Sequence, residues 1–270
     1  MDLELIMLGT GHAMVTKCYN TCFAIRCDEE YFLVDAGGGN GIMQQLEKAE
    51  IPYNNIRNMF VTHGHTDHVL GVVWIIRKIA ALMNAGKYDG EFNIYCHDEV
   101  KEILKVFCGM TLTKKLLKTM EERIHIIEVK DGDKAEVSGI NFDFFDIHSS
   151  KTKQFGFAGV MPNGKKVVCL GDEPFNESNR KYMDNCDLLL SEAYCLYEEK
   201  EKFKPYEKHH STALDAGKLA EDLKVKALLL YHTEDTNLKE RKEHYTKEAA
   251  MNFNGKIFVP EDLERIELNL

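Results

Sequence analysis

An α/β layered fold is predicted for this 270-residue chain, on three observations. Short apolar or β-branched runs come in groups, with helical patterns between them. Several of these strand candidates run straight into a polar, chemically active residue. No Gly/Ser/Pro-rich linker and no internal repeat divides the chain, so residues 1–270 read as a single domain. Hydrophobic residues make up 44% of the sequence, enough to fill a sizeable core.

The elements follow in order. Leu3 to Leu8 is a strand that ends in Gly9-Thr10-Gly11. Thr21 to Ile25 and Tyr31 to Val34 have strand composition, and the second closes in Asp35-Ala36-Gly37-Gly38-Gly39. Gly41 to Glu50 places Ile42, Leu46 and Ala49 at helical spacing. Ile56 to Thr62 is a strand, and Val69 to Met83 is apolar and long enough for a buried helix. Phe92 to Cys96 is another strand. Asp98 to Met120 reads as one lysine-rich helix. Strands follow at Ile124–Val129, Ile140–Ile147, Phe155–Met161, Lys166–Leu170 and Leu188–Ser191. Ser211 to Leu223 reads as a helix with Ser211 as N-cap. Ala227 to Tyr231 is a strand ending at His232, and Leu238 to Met251 is a last amphipathic helix.

The formal net charge is −10, which argues against a broad nucleic-acid footprint. The first residues lack the basic and apolar regions of a signal peptide. No apolar run approaches the length that spans a bilayer, so no membrane partner is expected. Eight scattered cysteines in such a chain read as reduced thiols, and the expected location is cytoplasmic.

The chemistry gathers at His63-Gly64-His65-Thr66-Asp67-His68. Three imidazoles and a carboxylate fall within six residues, directly after an apolar strand. Imidazole and carboxylate suit zinc and similar divalent ions. A turn can aim His63 and His65 at one ion while Asp67 and His68 face another.

At this point the chain resembles the metallo-β-lactamase superfamily, whose motif is His-x-His-x-Asp-His. The likeness extends along nearly the whole chain. Asp35, His148, Asp172 and His232 each sit at the end of a strand candidate, where that family carries its ligands. The resemblance implies a four-layer αβ/βα sandwich. It also implies two divalent ions, with zinc expected first and manganese or iron accepted by the same ligands. His63, His65 and His148 would hold one ion, and Asp67, His68 and His232 the other. Asp172 would bridge them, with a bridging water activated as hydroxide. Asp35 would orient the ligand loop without touching a metal.

Within the superfamily the chain is most similar to the ribonuclease Z branch. Leu8-Gly9-Thr10-Gly11, Ser191-Glu192-Ala193-Tyr194 and His210-Ser211-Thr212-Ala213 carry that likeness. The branch implies catalytic roles for His210, Glu192 and Asp67. His210 would protonate the leaving oxygen, and Glu192 would fix its tautomer. The branch also implies RNA or a small phosphodiester as substrate, and a homodimer. Two departures stand out. The His148–Asp172 interval is too short for the arm that grips tRNA, and Tyr231-His232-Thr233-Glu234-Asp235 replaces the branch's usual Thr-His-Phe-Ser.

Three rival readings remain open: hydrolysis of a carboxylic ester, lactone or amide; a non-catalytic metal-binding sensor; and iron redox chemistry. His12, Lys204 and Tyr206 are further candidates for contact with substrate. The lysines between Lys101 and Lys118 read equally well as a solvated helix face or a phosphate contact. His97, His125 and His244 read as structural.

Overall fold

The computed structural model describes residues 2–269, which form two compact units. The first unit comprises Met1–Gly9, Tyr19–Val129 and Asp262–Glu267. In chain order it holds β1 (Leu3–Gly9), β2 (Cys22–Cys27), β3 (Glu30–Val34), α1 (Gly41–Lys48), β4 (Ile56–Val61) and α2 (Thr66–Asn84). There follow β5 (Phe92–Cys96), α3 (Asp98–Thr111), α4 (Lys114–Arg123) and β6 (Ile124–Glu128).

Its sheet has seven strands, with the strand Arg265–Glu267 at the edge beside β1, then β2 through β6 in sequence order. β1, β2 and β3 pair antiparallel, whereas β3, β4, β5 and β6 run parallel through helical crossovers. Parallel strands send their carboxyl ends to one edge, where α/β sheets collect their chemistry. Asp35 follows β3 there, and His63 follows β4 with Thr62 between.

α2 forms because Val69, Val72, Ile76, Ile79, Ala80 and Met83 repeat at helical spacing and are all buried. Its first turn carries Asp67, a favourable place for a negative charge near the exposed amides. Gly71 is the point of closest approach. Its amide donates to the Gly37 carbonyl at 2.8 Å, and a Cβ added there would lie 1.8 Å from the Ala36 carbonyl oxygen. Gly71→Ala is therefore expected to destabilise by about 1–3 kcal/mol through overpacking. Denaturant titration with an unchanged slope checks it.

The second unit comprises Thr10–Cys18, Lys130–Glu261 and Leu268–Leu270. It holds β7 (Lys134–Val137), β8 (Ile140–Asp146), β9 (Phe155–Val160), β10 (Lys166–Cys169), α5 (Arg180–Met183) and β11 (Leu188–Glu192). It continues with α6 (Lys200–Phe203), α7 (Ala213–Asp222), β12 (Ala227–Tyr231), α8 (Leu238–Ala249) and β13 (Lys256–Phe258). Its strands lie in the order β13-β12-β11-β10-β9-β8-β7. β10 to β13 are parallel, and β7 to β10 antiparallel. Ala216 and Ala220 of α7 and Tyr245 and Ala249 of α8 pack with Leu228 and Leu230 in one buried cluster.

Two expectations need correction. The single helix from Asp98 to Met120 is two helices, because Leu112 and Thr113 are both extended. That break lets Leu112 join the core while α4 turns back to bury Thr119 and Met120. The N-cap of α7 is Thr212, not Ser211. Thr212 and Asp215 form a reciprocal capping box, and the Ser211 hydroxyl donates to the Glu192 carbonyl at 3.1 Å. No disulfide joins the eight cysteines. No helix among the described residues is long and apolar enough to cross a membrane.

Candidate metal centre

The first unit builds its half of the chemistry from two loops. Asp35 sits at φ +56°, in the left-handed region that costs a non-glycine residue strain, at the end of β3. That conformation turns its carboxylate onto the loop after β4. Oδ1 accepts from the Thr62 amide at 2.8 Å, and Oδ2 accepts from the Thr62 hydroxyl at 2.7 Å. Oδ2 also lies 2.7 Å from His68 Nδ1.

A proton inventory assigns the tautomers. Asp35 accepts only, so His68 donates from Nδ1 and turns Nε2 away from Asp35. The Thr62 hydroxyl gives its one proton to Asp35 and lies 2.9 Å from His63 Nδ1, so His63 also donates from Nδ1 and presents Nε2. His68 Nε2 lies 3.4 Å from Asp67 Oδ2, and His63 Nε2 lies 2.9 Å from His65 Nδ1. Burial opposes a charge on His68, but the Asp67 and Asp35 carboxylates outweigh it and hold its pKa well above the usual histidine range. This loop thus gathers imidazole nitrogens and a carboxylate, and a cation bound there would displace the second proton of His68. Such a donor set fits a divalent cation with nitrogen and oxygen ligands.

The second unit places its candidates at strand ends too. Asp172 follows β10 after Gly171, which adopts φ +65°. Glu192 closes β11. His232 follows β12 at φ +58°. Asp172, His210 and His232 each offer a ligand-type atom within 4.8 Å of the others, and His232 Nε2 lies 3.5 Å from Asp172 Oδ2. His148 stands outside that trio. It follows β8 at φ +59°, its amide donates to Asp146 Oδ1 at 2.7 Å, and its side chain is half-exposed.

Glu192 is fully buried. It accepts a short hydrogen bond from the Ser211 amide, and its Oε2 faces His210 Nδ1 at 3.5 Å. Burial raises the Glu192 pKa, against the pull of His210 and Ser211. Because Nδ1 of His210 is turned to Glu192, Nε2 is the nitrogen left to act.

Tyr194 was read from the sequence only as part of the Ser191–Tyr194 segment, with no role of its own. Its ring stacks on His210 at 4.8 Å and 9°, and lies 4.6 Å from the His12 ring. Lys208 Nζ donates to its hydroxyl at 3.0 Å. An aromatic ring thus lies flat against the His210 imidazole. Buried Arg241 ties the neighbouring loops by donating to the hydroxyls of Thr10 and Thr233, at 3.1 and 2.9 Å.

Comparison with known proteins agrees with this architecture. The chain is 26% identical to ribonuclease Z of Thermococcus sibiricus over 98% of its length and 96% of the relative's. That alignment runs to 308 positions, so the relative carries segments this chain lacks. Among solved structures, the metallo-β-lactamase-fold protein YhfI from Bacillus subtilis matches at a TM-score of 0.79 with 18% identity, over 99% of this chain and 100% of that one. The short form of human tRNase Z matches at 0.75 with 20% identity, over the same shares. The fold is therefore the metallo-β-lactamase fold, and the chain is a ribonuclease Z-like, metal-dependent hydrolase. The family model described as anti-Pycsar protein Apyc1 matches residues 3–257, and the chain belongs to that family.

Proposed function

We propose that the chain is a binuclear phosphodiesterase whose natural substrate is a small phosphodiester rather than a precursor tRNA. The observation that carries this reading is the pair of buried Glu192 and partly buried His210 beside Asp172 and His232. A positioned acid serves an alkoxide leaving group, which departs poorly without a proton. Carbonyl hydrolysis at an activated ester or lactone has less need of it.

In this reading His63, His65 and His148 hold one ion, Asp67, His68 and His232 the other, and Asp172 is common to both. Bound there, the ions would make water acidic enough to act as a nucleophile at neutral pH and would polarise the phosphoryl group. The chain's own residues do the rest. Asp35 and Thr62 hold His63 and His68 in the tautomer that presents Nε2. Glu192 orients His210, which delivers a proton to the leaving oxygen. Tyr194 keeps the imidazole plane. Zinc first, with manganese or iron as alternatives, a single domain over residues 1–270, a homodimer and a cytoplasmic location belong to the same proposal.

Two features favour a small substrate. Between His148 and Asp172, β9 turns directly into β10. The Met161 amide bonds the Lys165 carbonyl at 2.8 Å, so a tight turn stands where the resembled enzymes carry an arm. The net charge of −10 also disfavours a long polyanion. On purified, metal-analysed protein, bis(p-nitrophenyl) phosphate and a dinucleotide are expected to turn over, and precursor tRNA with a 3′ trailer to be cleaved poorly. Efficient cleavage of the precursor at low micromolar concentration would overturn the small-substrate reading. Turnover of an ester, lactone or β-lactam in place of any phosphodiester would overturn the whole proposal.

A further inference from the structure

The segment Thr233-Glu234-Asp235, which follows His232, has no part in the roles above. In the second unit it holds another segment, Thr10–Cys18, at both ends. At the near end the Thr233 amide donates to the Thr10 carbonyl at 3.0 Å, and the His12 amide donates to the Thr233 carbonyl at 3.1 Å. At the far end Asp235 Oδ2 accepts from the amides of Thr16 and Lys17, at 2.7 and 2.8 Å. Lys17 Nζ donates back to the Asp235 carbonyl at 3.1 Å. Arg241 stands behind the near end, where it donates to the hydroxyls of Thr10 and Thr233 and to the Pro260 carbonyl. A loop tied at both ends is already ordered, so a group it carries loses little entropy when it meets a ligand.

The group carried between the ties is His12. The Met14 amide donates to His12 Nδ1 at 3.2 Å, so the neutral ring keeps its proton on Nε2 and donates from there. The ring is half-buried, and its centroid lies 4.6 Å from that of Tyr194 and 6.3 Å from that of His232. His210 approaches the same His232 ring at 5.4 Å. The Glu234 amide donates to the Tyr194 carbonyl at 2.9 Å, so one segment ties down both the His12 loop and the ring between the two histidines. Lys208 Nζ, 4.8 Å from the centre of the Tyr194 ring, adds a positive charge beside it.

Two imidazoles therefore flank His232, and only one has a role. Protonation of the leaving oxygen occupies His210. A phosphodiester also carries non-bridging oxygens, over which negative charge is spread as the bond to the leaving group breaks. A donor fixed in advance stabilises that charge without reorganising. An imidazole N–H on a tied loop meets this requirement.

We propose that His12 is a further catalytic residue, whose Nε2–H donates to a non-bridging oxygen of the phosphoryl group. The proposal rests on the phosphodiesterase reading. Three variants of the metal-loaded full chain separate the donor from the ring. His12→Phe keeps a ring against Tyr194 and loses the donor. His12→Gln loses the ring and keeps an N–H donor. His12→Ala loses both. The phenylalanine and alanine variants are expected to lose about 10- to 100-fold in kcat/KM, the range for one hydrogen bond to a charged group. His12→Gln is expected to recover most of that loss. The loss is expected to be equal for bis(p-nitrophenyl) phosphate and a dinucleotide, because both present the same non-bridging oxygens, and metal content is expected to stay native. Inorganic phosphate, titrated calorimetrically, is expected to bind more weakly to His12→Phe and to recover with His12→Gln. Native rates in His12→Phe would overturn the assignment, since the ring alone would then suffice. A loss confined to the dinucleotide would overturn it in favour of a role at the leaving group, and a loss of metal in favour of support for His232. Phosphate binding that weakens and recovers as described, in a chain that hydrolyses no phosphodiester, would keep His12 as a phosphoryl contact and sink the phosphodiesterase reading instead. Phosphate binding indifferent to His12 in such a chain would sink both.

Discussion

Asp172→Ala is expected to abolish hydrolysis and to lower metal content from near two ions per chain to below one. Every other proposed ligand serves one ion, so its loss leaves the second in place. In the proposed ligand set Asp172 alone would be common to both. It is buried at 3% exposure, and its Oδ2 faces His232 Nε2 at 3.5 Å. Removing the carboxylate takes away the negative charge that offsets two dications as well as one bond to each. His63→Ala is the comparison. It is expected to lose about one ion and keep the other. Metal analysis after dialysis against equal zinc separates the two cases. Equal stoichiometry in both variants would show that Asp172 is not shared. Asp172→Asn, which keeps the volume, tells charge from packing. It is expected to resemble alanine in metal content and the native chain in thermal midpoint.

The local part of this site was legible because its residues are close in sequence. His63, His65, Asp67 and His68 fall in one turn, so their spacing alone implies a shared purpose. Asp35 was readable as a strand-end carboxylate, and its bonds to Thr62 and His68 match the orienting role expected of it. Tyr194 was not readable. It reaches His210 only because β11 and the segment before α7 are brought together, and nothing in the local pattern says that an aromatic ring will stack on an imidazole 16 positions away. The α7 cap failed for a related reason. Ser211 and Thr212 are both competent caps, and the choice falls to Glu192, which takes the Ser211 amide. The edge strands β7, β13 and Arg265–Glu267 escaped notice because they are short and partly charged, as edges exposed to solvent tend to be. Likewise Leu112 breaks the helix for a burial that only tertiary packing reveals.

His210→Ala is the variant that decides between two chemistries that the geometry allows. His210 contributes to the trio with Asp172 and His232, so a ligand role is open to it. Its Nδ1 is turned to buried Glu192, which is the arrangement of an oriented acid. The two roles differ in what they make the rate depend on. An acid matters in proportion to how badly the leaving group needs a proton. A p-nitrophenolate leaves without one, whereas a ribose or alkyl oxygen does not. His210→Ala is therefore expected to retain most activity on bis(p-nitrophenyl) phosphate. On a dinucleotide it is expected to lose about 10²–10⁴ in rate, the usual contribution of general acid catalysis. Metal content stays at the native value. Glu192→Gln follows the same pattern more mildly, because it removes the orienting charge but leaves the imidazole. Tyr194→Leu shows it too if stacking sets the ring plane, and Tyr194→Phe restores the native ratio between the two substrates. A loss of metal in His210→Ala would make the residue a ligand. Equal losses on both substrates with metal intact would make it a binding group. Only a loss that grows with the leaving group's basicity makes it the acid, because protonation is the one contribution that the p-nitrophenyl ester does not use.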